Sequence, residues 1–153
     1  MERNRKGGSM ARIMEAAILI VLPIIFHFLF PVSVIIHRPY SYLGIILMIL
    51  GFALASWAAR VFQKAGTTFE LHGESSTLTV SGPFKISRNP IYLGMVLWLL
   101  GLAVLLGSLT AFIFPVLLFL LTNLLIIPIE EKELEKMHGG KYDNYRQSVR
   151  RWL

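Results

Sequence analysis

Two short polar segments, separated by one long uncharged run, hold the side chains best suited to chemistry. The first reads Ser81-Gly82-Pro83-Phe84-Lys85-Ile86-Ser87-Arg88-Asn89-Pro90-Ile91-Tyr92-Leu93-Gly94, and the second is the pair Glu130-Glu131. Asn89 before Pro90 is a helix-start signature, with Asn at the cap and Pro in the first helical position. The first turn of such a helix leaves backbone N–H groups unpaired and carries a partial positive charge, which suits a carboxylate or a phosphate. The same pair also serves as an ordinary cap. Tyr92 falls three residues after Asn89 on the same helical face, and Gly94 removes a side chain where a ligand or a helix presses close. Two carboxylates at a membrane exit repel anionic head groups and favour a ligand with hydroxyls or a cation. The plainer reading of residues 130–137 is a solvated helix face. Together the two segments suit a charged, nucleotide-like ligand at the edge of an apolar body.

Composition supplies that body. The 153 residues are 55% hydrophobic and 16% charged, against about 25% charged in a soluble domain. Residues 13–36 contain one charge, Glu15, and neither 42–59 nor 91–129 contains any. A bilayer crossing takes about 20 residues, so the last run is too long for one crossing, and Gly107-Ser108 divides it. The chain therefore reads as all-α: one domain over 1–153, an integral membrane bundle of four transmembrane helices at about 13–36, 42–62, 91–106 and 109–129. A cytosolic loop and a tail over 130–153 with an amphipathic helix complete it. The first run is too long for the apolar region of a cleavable signal, and no small-x-small site follows it, so it reads as a retained span.

Fourteen of the fifteen Lys and Arg residues fall before the first span, around the loop between the second and third, or in the tail; Arg38 alone falls elsewhere. Positive charge marks the cytoplasmic side, which places both termini and the 63–90 loop there in a multi-pass protein. The net charge of +6 then reflects topology and attraction to anionic lipids, and nucleic acid is not an expected partner. With no cysteine, disulfides, thiolate metal sites and cysteine nucleophiles are excluded, and no metal is expected. Gly44, Gly51, Ala53, Ala55, Ala58 and Ala59 give the second span a face for close helix packing, within the chain or between two copies, so an oligomer stays open.

The loop 63–84 is the sizeable polar region before the tail, and loops of this length are often functional. Its one histidine, His72, could orient or deprotonate an acceptor. Leu78-Thr79-Val80 reads as a short extended piece before a turn at Ser81-Gly82-Pro83. Serines 75, 76, 81 and 87 have no base partner, and no catalytic triad is present. The mid-membrane polar group is Asn123. Tyr142, Tyr145 and Trp152 with neighbouring basic residues favour the membrane interface.

The pattern Gly82-Pro83-Phe84…Arg88-Asn89-Pro90-x-Tyr92-x-Gly94, then Glu130-Glu131, then Gly140-x-Tyr142-x-x-Tyr145…Arg151-Trp152, resembles the isoprenylcysteine carboxyl methyltransferase and phospholipid methyltransferase superfamily over about 65–153. Asn89 stands where His is the commoner family residue. The resemblance implies a membrane-embedded methyltransferase that uses S-adenosylmethionine on a lipid-like or small hydrophobic acceptor, an amine, thiol or carboxylate, among membrane lipids. No Gly-x-Gly-x-x-Gly follows a strand, so a soluble Rossmann-type site is not available. By the same resemblance, Thr77, Leu78 and Thr79 form the adenosine edge and Phe84 packs by the adenine. Asn89, Pro90 and Tyr92 hold the methionine end, while Glu131, with Glu130 beside it, accepts from ribose hydroxyls or the α-ammonium. His72 and Arg88 are the substrate-side candidates. Carboxyl methyltransferases of the family carry an arginine one turn before the glutamates, where this chain has Ile126 and Ile127. That favours a neutral amine, thiol or phospholipid head group, unless Arg88, Arg150 or Arg151 substitutes.

Two other functions fit parts of the sequence. Sterol reductases share the Arg-x-Pro-x-Tyr-x-Gly region and use NADPH, though they carry additional spans. A non-enzymatic transport or interaction protein would favour a charge inside a span, whereas Glu15 lies at an edge.

Overall fold

The computed structural model describes residues 21–30, 33–65 and 78–153; His72, Thr77 and the beginning of the first span lie outside the described residues. Among those described, every regular element is helical, and the one ladder contact is an isolated bridge between Val34 and Ser108. Helix α1 covers 21–29. It stops earlier than the expected span end at 36, because the residue before Pro31 is disfavoured from helical geometry. Residues 33–36 leave the helix and pair with the turn between the third and fourth helices: the Ile35 N–H donates to the Gly107 carbonyl at 2.8 Å, and the Leu109 N–H to the Ser33 carbonyl at 3.1 Å.

A 3₁₀ turn at Tyr40–Tyr42 leads into α2 (Leu43–Lys64), and another at Gly82–Lys85 precedes α3 (Pro90–Leu106). A third, at Leu109–Phe112, opens α4 (Ile113–Leu121), followed by a π turn (Thr122–Ile126), α5 (Ile127–His138) and α6 (Gly140–Ser148). Two of these stretches, Tyr40–Lys64 and Leu109–His138, are long and apolar enough to cross a membrane, and Pro90–Leu106 is a shorter apolar helix.

The helix of the fourth apolar stretch does not end with the expected span at 129. Helix runs from Leu109 through Pro128 to His138 as one rod. A proline inside a helix has no N–H to donate and its ring crowds the carbonyl four residues earlier, here that of Leu124. Leu124 lies inside the π turn, whose wider winding accommodates such an insult. Thr122 opens that turn by donating its hydroxyl back to the carbonyls of Leu118 (2.8 Å) and Phe119 (3.0 Å), a bond that bends helices.

The most extensive helix pair is α2 with α3, and glycine makes it possible. Gly44 faces Gly101 and Gly51 faces Gly94. A Cβ on Gly51 would lie 2.6 Å from the Gly94 carbonyl, and one on Gly94 would lie 2.7 Å from both the Gly51 carbonyl and the Ala55 nitrogen. The seven-residue spacing on both helices keeps the two contacts in register in an antiparallel pair. Gly44, Gly51 and Ala55 of the small-residue face are therefore consumed inside the chain by α3, while Ala53 stays exposed. Leu99 and Leu102 of α3 meet Leu118 of α4 in the core, with Met48, Met95 and Trp98 packed against them. Outward, α2 exposes Ile45, Ile46, Ile49, Leu50 and Phe52, and α4 exposes Ile113, Val116, Leu117 and Leu120. Apolar faces this large fit a lipid environment. Gly107 ends α3 with φ +68°, the left-handed geometry glycine adopts freely, and a Cβ there would strike the Ile36 carbonyl.

Candidate functional site

At the opposite end from that turn, four pieces of chain meet: the segment 79–89, the start of α3, the π turn with α5, and the tail from α6 to Leu153. The tail is tied to the segment before α3 through backbone groups. The Arg88 N–H donates to the Arg150 carbonyl at 3.0 Å. Ser87 Oγ (3.2 Å) and Asn89 Nδ2 (3.0 Å) both donate to the Arg151 carbonyl. Tyr145 Oη, from α6, donates to the buried Phe84 carbonyl at 2.7 Å. Asn89 therefore occupies the cap position of α3 without capping it. Its amide holds the tail, its own N–H donates to Ser87 Oγ at 3.1 Å, and Pro90 follows as the first helical residue.

Glu131 is the electrostatic centre. Its carboxylate faces two guanidinium groups. Arg151 grips it in a fork, Nε to Oε1 at 3.2 Å and Nη2 to Oε2 at 2.5 Å. Arg88 Nη2 lies 3.2 Å from Oε1. The side chains of Glu131 and Arg88 are only 12% and 10% exposed, against 33% for Arg151, so the Arg88 contact is the buried one. A carboxylate offers about four lone-pair positions, and three contacts already use most of them. One helical position earlier, Glu130 Oε1 accepts the Tyr92 hydroxyl at 2.7 Å, which ties the start of α3 to α5. Arg88 Nη1 donates to Tyr142 Oη at 3.4 Å. Burial pushes the Tyr142 phenol up, with the Glu131 carboxylate adding to this and Arg88 and Arg146 opposing it. Burial likewise raises Tyr145, against the pull of Arg88. Both phenols therefore stay protonated near neutral pH.

Deeper in the rod, Asn123 Oδ1 accepts from Trp152 Nε1 at 3.0 Å and from Arg151 Nη1 at 3.3 Å. The Trp152 ring packs on Phe119 with centroids 4.8 Å apart. Phe84 is buried and stacks with Phe62 at 6.1 Å. Two buried polar atoms of this region have no partner among the described residues: Thr79 Oγ1 and Arg88 Nε. Buried polar groups are almost always paired, with protein, water or a ligand.

Of the residues singled out by sequence, the structure brings Arg88, Asn89, Pro90, Tyr92, Glu130 and Glu131 into one cluster, with Phe84 joined to it through Tyr145. Leu78 and Thr79 lie on the approach to the 3₁₀ turn. Sequence reasoning left Asn123, Tyr142 and Trp152 outside the site and named Arg151 only as a stand-in for an acceptor-side arginine. The available signals were a lone amide in an apolar run and the aromatic–basic spacing of the tail. Among the described residues no group of His, Asp and Glu side chains could hold a metal ion.

Fold and site together define a helical protein with a polar centre at one end of an apolar bundle, two of whose helices are long and apolar enough to cross a membrane. A sequence profile described as phospholipid methyltransferase matches residues 40–141, more than half of the chain, and the chain belongs to that family. Two rice proteins, from Oryza sativa subsp. indica and subsp. japonica, each named "Probable protein-S-isoprenylcysteine O-methyltransferase", are 29% identical to it over 112 residues. The match covers 71% of this chain and 58% of each of theirs, so the chain spans little more than half the length of these relatives. An uncharacterized protein of Haemophilus influenzae is 38% identical over 63 residues, 41% of this chain and all of that protein. No solved structure matches the chain significantly.

Proposed function

We propose that the protein is a membrane-embedded methyltransferase that takes a methyl group from S-adenosylmethionine and places it on a lipid-like or small hydrophobic acceptor. The observation that carries this reading is the charged cluster Arg88–Glu131–Arg151 with the Tyr92–Glu130 pair, set at the ends of apolar helices in a chain of the phospholipid methyltransferase family. The site is polar enough for a zwitterionic cofactor and adjoins an apolar surface that suits lipid.

The residues present fit such a cofactor. Thr79 Oγ1 and Arg88 Nε are buried without partners among the described residues, and Phe84 with Phe62 forms an aromatic pair. In this reading Thr77, Leu78, Thr79 and Phe84 hold the adenosine side, and Asn89, Pro90, Tyr92, Glu130 and Glu131 the methionine side. When bound, S-adenosylmethionine supplies an electrophilic methyl on a sulfonium. The chain's own part is to align an acceptor with it and to exclude water, and alignment alone accounts for a large share of such a rate. A nucleophilic amine or thiol needs no strong base, consistent with the lack of a triad; His72 and Arg88 stay the substrate-side candidates. The formal charges of Arg88, Arg151, Glu130 and Glu131 cancel, and both arginines are engaged with Glu131. A neutral acceptor or a phospholipid head group therefore fits better than a free carboxylate. The positive-charge distribution puts this end, with both termini, on the cytoplasmic side.

Calorimetric titration of detergent-purified protein with S-adenosylmethionine, its demethylated product and NADPH tests the reading. Micromolar binding of the sulfonium or its product, lost in Glu131→Ala protein shown to be folded at the assay temperature, supports it. Binding of NADPH alone would replace it with a reductase-like function, and binding of none by folded protein would sink both.

A further inference from the structure

Asn123 sits where an asparagine is expensive. It lies in an otherwise apolar helix, and a polar side chain in a membrane span requires a partner. It has two, both from the tail: Trp152 Nε1 at 3.0 Å and Arg151 Nη1 at 3.3 Å. The π turn is local to it: Thr122–Ile126 wind wider than the helix on either side, which rotates the residues around the rod. Such insertions are frequent at functional sites. Arg151 in turn bridges two acceptors, using Nη1 for Asn123 and Nε and Nη2 for Glu131.

From this geometry we propose that Asn123 is a positioning residue: it anchors the Arg151–Trp152 strap on the π turn and so sets Arg151 against Glu131, making the strap a wall of the site. The inference rests on the methyltransferase reading for what the site binds, but the anchoring itself does not. Both contacts use the Asn123 side-chain oxygen. A residue that keeps the oxygen must hold the strap, and one that keeps only size and apolarity must not. If Asn123 were a mere packing residue, leucine would be the better tenant of an apolar helix.

The chain has three tryptophans, Trp57, Trp98 and Trp152, so a Trp57→Phe/Trp98→Phe background leaves Trp152 as the sole indole. In that background we would record the emission of Trp152 and titrate the demethylated product of S-adenosylmethionine, for the parent, Asn123→Leu and Asn123→Asp. The expected result is a red-shifted, more quenchable Trp152 in Asn123→Leu and a parent-like spectrum in Asn123→Asp, with all three proteins folded by circular dichroism. Product affinity should fall about tenfold in Asn123→Leu, as expected if the strap is then in its binding-competent place only about a tenth of the time, and recover in Asn123→Asp. An unshifted spectrum in Asn123→Leu, or a shift that Asn123→Asp fails to reverse, would overturn the anchoring. A shifted spectrum with unchanged affinity would overturn the positioning role. A parent that binds neither cofactor nor product would remove the methyltransferase reading, while the spectra of the three proteins would still decide whether Asn123 holds the strap.

Discussion

Replacing Glu131 by glutamine removes the charge at the centre of the site and keeps its shape. Three contacts go with it or weaken: the two arms of Arg151 and the approach of Arg88. The two arginines do not count equally. Arg151 is one-third exposed, and solvent screening limits such a pair to about 0.2–1 kcal/mol. Arg88 is 10% exposed, and stranding a buried guanidinium destabilises by about 3–5 kcal/mol. The second effect decides the outcome. For a chain of this size 1 kcal/mol moves the melting temperature by about 2–4 °C, so Glu131→Gln should melt roughly 6–20 °C below the parent. The assay is thermal unfolding in detergent without cofactor, followed by circular dichroism, so that any role of Glu131 toward a ligand does not enter. The double variant Glu131→Gln/Arg88→Met removes the stranded charge and should regain most of the loss. A Glu131→Gln protein melting within about 2 °C of the parent would refute the claim that this carboxylate neutralises a buried cation. A double variant no better than the single would show that Arg88 is not the group left stranded.

Three further predictions address other links. Gly94→Ala places a methyl 2.7 Å from the Gly51 carbonyl and the Ala55 nitrogen; α2 and α3 must part, and overpacking of this kind destabilises by about 1–3 kcal/mol, to be read as a lower melting temperature. Tyr145→Phe leaves the buried Phe84 carbonyl without its 2.7 Å donor and should destabilise by about 1–3 kcal/mol, measured in the same way; no loss would mean that another donor reaches that carbonyl. Thr79→Val deletes a hydroxyl that has no partner among the described residues. The protein itself should be as stable or slightly more so, by up to about 1 kcal/mol, while affinity for S-adenosylmethionine falls, a split that a melting curve and a calorimetric titration together resolve.

The two polar segments were visible as candidates because their residue types are local: Asn89-Pro90 starts a helix, and Glu130-Glu131 stands out after an uncharged run. What those side chains touch was not visible. Asn89 reads as a helix cap by composition, yet its amide is spent on the Arg151 carbonyl 62 residues away. Glu131 reads as an acceptor open to a ligand, yet two arginines hold it, one before α3 and one in the tail. Pro128 reads as the end of a helix because proline lacks a donor; the π turn upstream lets the helix continue, and no local propensity announces a π turn.

The sequence by itself determined that the chain is helical and apolar, where its charges gather, and which family it resembles. Those properties follow from composition, from hydropathy over windows of about 20 residues and from short motifs, all of which act between neighbours in the chain. The partner of the glycine face on α2 was decided by the tertiary structure, and so was the way the tail closes on the site. Gly44 and Gly51 offered a surface fit for any close helix. Only the antiparallel packing of α3, with Gly101 and Gly94 in matching register, selected one. Asn123 likewise announced a need for a partner without naming it. The fold supplied Arg151 and Trp152 because a polar group inside an apolar body must be satisfied by whatever the chain brings back to it.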